Sequence, residues 1–215
     1  MVEMAARAND SAPGKRRGPK RRPGEPAGRD EVTAAVLSSA TSLFAREGVE
    51  PVTLRDIAAD AGVHPSLIGR YIGPRAVLIE EVYRHVAGAL VEEIEAAPLK
   101  PRSFERDSIM GAWTVLMTYF ALRNLRAPTG AANPVDALAA AIEEHYGLGP
   151  AAANWRATQI VGSALGWRLY EPLLADLGSI APRQLPDLRR DLNLLHNIGA
   201  SLDLPTVDPR PASER

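Results

Sequence analysis

Between Gly48 and Pro74 the chain is punctuated at Gly48, Pro51, Gly62, Pro65 and Gly73–Pro74. Glycine and proline end or open helices, so no long helix fits there. What fits is two short helices joined at Gly62. Thr53 and Asp56 stand at the spacing of a capping box, with Asp in place of the usual Glu or Gln, and mark the start of one. Leu54, Ile57, Ala58 and Ala61 form its inward face. Pro65 opens the other, where a missing N–H does no harm. Leu67, Ile68, Tyr71 and Ile72 are its packing residues. Before this pair, Val36, Ala40, Leu43 and Phe44 lie on one face of a helix from about Arg29 to Glu47. After it, Leu78, Val82, Val86, Leu90 and Ile94 form the stripe of a long helix ending near Ala97.

The rest of the chain follows the same helical grammar. Ala and Leu make up more than a quarter of it, and both are strong helix formers. The fold class expected is all-α. Helices are expected at Phe104–Arg123, Pro134–Tyr146, Pro150–Leu177 and Leu185–Leu204. The last carries Leu188, Leu192 and Leu195 close to a heptad seam. Residues 1–28 differ. They hold four Pro, four Gly and almost no large apolar side chain, too little to offset the cost of ordering. They do hold Lys15, Arg16, Arg17, Lys20, Arg21 and Arg22, with no acid among them. The organisation expected is a basic arm at 1–28, a small helical domain at 29–80, a larger one at 81–204 and a loose tail at 205–215.

Several functions lose their chemistry at this stage. The chain has no Cys, so thiol catalysis and Cys-ligated metal sites are excluded. His64, His85, His145 and His196 form no pair at helical ligand spacing, and no metal or cofactor is expected. Glu92–Glu93 and Glu143–Glu144 are adjacent residues on different helix faces and make no carboxylate pair. No phosphate-cradling glycine loop and no nucleophile elbow is present, so the chain does not read as an enzyme. No apolar run approaches the ~18–20 residues of a bilayer span, and no membrane partner is expected. The first ten residues have no apolar core segment of the signal-peptide kind, which leaves the cytoplasm as the expected location.

A helix, a glycine turn and a short second helix have the spacing of a helix-turn-helix, whose second helix enters the major groove of double-stranded DNA. The residues are more specific than the spacing. Ala40, Leu43, Phe44, Gly48, Thr53, Ile57, Ala58, Ala61, Gly62, Val63, Leu67, Tyr71, Arg75 and Leu78, in order across about 50 residues, resemble the N-terminal domain of the tetracycline-repressor (TetR) family. The resemblance implies a three-helix DNA-binding domain and a helical C-terminal domain for ligand binding and dimerisation. It implies a homodimer on a palindromic operator, usually a repressor released by a small molecule. By position it implies that Thr53 contacts phosphate, that Arg55 reaches a base edge, and that His64, Pro65, Ser66, Gly69, Arg70 and Tyr71 face the groove. Arg75 stands where the family usually has Lys against phosphate. An ordinary solvated side chain is the other reading of Arg55.

The chain departs from the family at Gly69, where Tyr is common, and at Ile72, where Phe is. Gly69 reads as close approach to DNA, as a shift of readout onto Arg70, or as a softened helix. From Arg29 to Leu78 there are five basic and six acidic residues, against seven and three in residues 1–28. The expectation is that the arm supplies much of the electrostatic affinity, in the manner of minor-groove arms; a solubilising leader is the alternative. Trp113, Met117, Phe120, Tyr146 and Trp167 are candidates for the wall of a pocket suited to an apolar effector, with ordinary core packing as the other reading. Arg123, His145 and Arg168 are candidate polar anchors or surface residues. Gly162 and Gly166 permit close helix approach at a dimer interface or within the chain. Two alternatives stay open: a regulator without ligand control or an activator, and a helical ligand-binding or scaffolding protein that has lost operator reading.

Overall fold

A computed structural model of the chain describes residue 26, residues 28–97 and 109–178, and a short 3-10 turn at Pro182–Gln184. Every regular element among them is helical: α1 (Gly28–Glu47), α2 (Leu54–Asp60), α3 (Pro65–Tyr71), α4 (Arg75–Ala96), α5 (Ile109–Leu122), α6 (Pro134–Tyr146) and α7 (Pro150–Leu177). The expected basic arm, with Lys15, Arg16, Arg17, Lys20, Arg21 and Arg22, lies outside the described residues. So do the expected last helix with Leu188, Leu192 and Leu195, and the tail.

The helix starts are explained by local chemistry. Thr53 caps α2, and the box is complete: Asp56 N donates to Thr53 Oγ1 at 3.2 Å, and Thr53 N donates back to Asp56 Oδ2 at 2.8 Å. His64 caps α3 through Nδ1, which accepts from Ser66 N, and Pro65 takes the first helical position. Asn133 caps α6 ahead of Pro134. Gly62 turns α2 into α3 at φ +64, a backbone that side chains disfavour.

Packing runs through α4. Val32, Val36, Ala40 and Phe44 of α1, Ile57 and Ala58 of α2, and Ile68 of α3 are buried in one cluster with Leu78, Val82 and Val86 of α4. Within it, α2 and α3 pack mainly on α1 and on each other. The same cluster continues into Leu90, Ile94, Trp113, Leu116 and Phe120. The expected boundary at residues 80–81 therefore falls inside one unbroken helix and one core. Among the described residues α6 and α7 form the most extensive helix pair, with a second, smaller cluster of Ile142, Ala153 and Ala157. Buried Ser39 fixes α1 to the end of α2: its hydroxyl lies 2.6 Å from Asp60 Oδ2 and 3.2 Å from Ile57 O. No helix among the described residues is long and apolar enough to cross a membrane.

Candidate nucleic-acid interface

α3 buries Ile68 and leaves Pro65, Ser66, Gly69 and Arg70 exposed. Leu67 and Tyr71 are half-buried, so Tyr71 is partly a packing residue; the Arg70 guanidinium lies 5.5 Å from its ring centroid. On α2, Arg55 is exposed while Ile57 and Ala58 are inside. The two short helices thus present Arg55, Ser66 and Arg70 on a scaffold fixed by buried aliphatic side chains.

Gly69 is exposed, and a Cβ built there meets nothing within 4 Å. Nothing inside the protein requires glycine. Gly69→Ala is therefore expected to stabilise the free protein by ~0.5–1 kcal/mol, because alanine loses less backbone freedom in a helix. Thermal unfolding measures this, and a lowered melting temperature would contradict it.

Three of the residues expected at DNA also have duties inside the fold. The Thr53 hydroxyl donates to Asp56 Oδ2 at 2.7 Å, so its proton is already engaged. His64 holds Ser66 Oγ at 2.7 Å from Nδ1 as well as capping the helix. Arg75 directs Nη1 to Val52 O at 2.6 Å and Nη2 to Val49 O, bracing the α1–α2 connection. These bonds leave Arg75 with fewer donors for phosphate than the resemblance implied.

Asp56 is exposed, and the Thr53 hydroxyl and then the Thr53 backbone N–H hold its carboxyl below the usual range. A depressed folded-state pKa means that the stabilisation is present above the ordinary carboxylate range and is lost as pH falls through the folded value. Stability measured against pH should show this acid-side loss in the wild-type chain and a flatter profile in Asp56→Asn.

The expected pocket wall comes together only in part. Trp113 and Phe120 are buried on α5; Tyr83 of α4 meets Phe120 edge-on at 5.4 Å, and its hydroxyl lies 3.5 Å from Met117 Sδ. Burial raises the Tyr83 pKa, with the nearby Trp113 indole opposing the rise. Tyr146 packs instead in the α6–α7 cluster. Trp167 is half-buried on α7. The Nε1 donors of Trp113 and Trp167 are buried without a hydrogen bond of normal geometry, the Trp113 indole having the Tyr83 hydroxyl nearby. His145 is exposed and stacks edge-on with Tyr146 at 4.8 Å. The Arg123 guanidinium pairs with Glu50. The side chain of Arg168 lies outside the described residues. A groove of about 740 Å³ runs between α1, the end of α3 and α4, lined by residues including Thr33, Leu37, Tyr71 and His85.

On α7, Gly162 is exposed and Gly166 half-exposed, and a Cβ at either meets nothing within 4 Å. Packing among the described residues therefore gives no reason for either glycine. Trp155, Leu169, Tyr170 and Leu173 are also exposed there, each between 43% and 55%.

Comparison with known proteins agrees with this arrangement. The profile of the family described as bacterial regulatory proteins, tetR family, matches residues 36–82. The chain is 30% identical over 171 residues to the HTH-type transcriptional repressor Rv3405c of Mycobacterium tuberculosis, covering 78% of this chain and 88% of that protein. The HTH-type transcriptional regulator Mb3439c of Mycobacterium bovis matches at 30% identity over the same shares. A solved structure described as "Molecular basis for control of antibiotic production by a bacterial hormones" has the same fold at a TM-score of 0.55 and 18% identity, over 79% of this chain and 97% of that one.

Proposed function

The chain belongs to the tetR family of bacterial regulatory proteins and is a DNA-binding transcriptional regulator, and on that premise we propose that it is a homodimeric repressor. In this reading it holds a palindromic operator in the cytoplasm until a small, largely apolar effector enters its C-terminal helices. The observation that carries the reading is the α2–Gly62–α3 unit, which buries Ile57, Ala58 and Ile68 and presents Arg55, Ser66 and Arg70 outward. Arginine at a reading position suits the paired acceptors of guanine. The basic arm adds affinity by neutralising phosphates that a domain of near-balanced charge cannot.

The α7 surface supports the dimer. Trp155, Gly162 and Leu169 recur at seven-residue spacing, as do Gly166 and Leu173, which forms a seam wide enough for a second helix to approach closely. One seven-residue helix reads few bases. Two of them, ~34–36 Å apart or a multiple of it, read a palindrome. The name of the Mycobacterium tuberculosis relative supports repression. For the effector, the buried set of Tyr83, Trp113 and Phe120 supports an apolar body. The orphan indole donor of Trp167 supports a hydrogen-bond acceptor on it, since a buried donor without an acceptor is costly.

Selection from random double-stranded DNA with the full-length protein tests the function. A palindromic motif is the expected product. No enrichment at low salt would favour the scaffolding alternative, which the acidic balance of residues 29–78 supports.

A further inference from the structure

The connection between α1 and α2 is held by two arginines that reach it from different parts of the fold. From α4, Arg75 donates to Val49 O and Val52 O. From the end of α5, Arg123 donates through Nε, at 2.7 Å, and through Nη2 to Glu50 Oε1. The Arg123 guanidinium also lies 5.3 Å from the Tyr119 ring centroid. Val49 and Val52 on either side are buried. A segment anchored by two side chains and braced by two guanidinium groups moves as a unit, and the next residue, Thr53, is the cap of α2. A displacement of Glu50 is therefore delivered to the start of the helix-turn-helix rather than absorbed in the loop.

The other end of the link is equally well defined. Arg123 is the first residue after α5. Asn124 follows at φ +53, in the left-handed region, and Leu125 N returns to Phe120 O at 2.8 Å. Phe120 packs on Tyr83, and Tyr83 on Met117. The end of α5 is thus set by the packing of residues proposed above to meet the effector.

We propose that the Arg123–Glu50 pair is a positioning link that transmits the state of α5 to the N-terminus of α2. Its functional consequence rests on the operator-binding reading above. The pair is more than half exposed, so its loss spares the fold; its role needs only a small bias between two arrangements.

Two measurements test the link on the full-length chain with Glu50→Gln, Arg123→Gln and the double variant. The first is hydrogen exchange without DNA at the Ile57 and Ala61 amides, which bond to Thr53 O and Ile57 O. Exchange is expected to quicken about two- to fivefold in each variant, with the double variant no faster than the faster single one. Unchanged exchange, or independent multiplication of the two effects, overturns the link. The second uses the duplex enriched from random DNA by the wild-type protein. Both single variants are expected to bind it about two- to fivefold more weakly. Charge alone makes the opposite prediction for Glu50→Gln, since removing an acid tightens binding to a polyanion. Tighter binding by that variant overturns the link. If the wild-type protein enriches no duplex, the operator reading falls, and the exchange result still decides the link.

Discussion

Gly162→Arg is expected to convert the protein to monomers and to weaken operator binding by about 10²–10⁴-fold. The magnitude follows from separating two joined half-site readers, where the second binding event is intramolecular and gains that factor from effective concentration. The substitution is a clean probe, because Gly162 is exposed on α7 and a Cβ there meets nothing among the described residues. Helix propensity also favours arginine over glycine, so the isolated fold should not suffer. Sedimentation and a binding titration would be read together. A dimer that persists with unchanged operator affinity would remove Gly162 from the interface. A monomer that still binds a single duplex tightly would remove dimerisation from recognition.

A second large loss of affinity is expected on deleting residues 1–25, which leaves α1 intact from Gly28. The six basic residues from Lys15 to Arg22 are the densest charge in the chain. The helical domain has little to replace them: Arg75 is engaged with loop carbonyls, and Arg55 and Arg70 remain on the short helices. Each phosphate that the arm no longer neutralises should lower the slope of log affinity against log salt by about 0.9 and weaken binding most at low salt. An unchanged slope would leave the arm a solubilising leader and place the whole electrostatic contribution on the helical domain.

Much of the fold was legible because its signals are local. The Thr53–Asp56 box, Pro65, Gly62 and the Pro134 and Pro150 starts act within one helical turn, and the helices begin where these residues stand. The α4 stripe from Leu78 to Ile94 is legible for the same reason, since periodicity encodes a buried face directly. The expected start of α5 at Phe104 lies outside the described residues, which resume at Ile109.

The site was legible as exposure but not as duty. Residues at the expected positions of α2 and α3 do face outward. That His64 caps its own helix could have been read from His-Pro-Ser, because the acceptor sits two residues from the donor. Arg75 and Arg123 could not. Their partners lie 23, 26 and 73 residues away, and only the fold brings a guanidinium to those oxygens. The packing of Tyr146 was hidden for the same reason: helical spacing shows that Tyr146 is inward, not which of two clusters it enters.

The proposed repression depends on two copies reading one palindrome through α3. Native mass spectrometry of the full-length protein with its selected duplex counts those copies. Two chains per duplex are expected, with half-site centres ~34–36 Å apart or a multiple of that spacing. A complex of one chain per duplex on a non-palindromic sequence would contradict the dimeric reading.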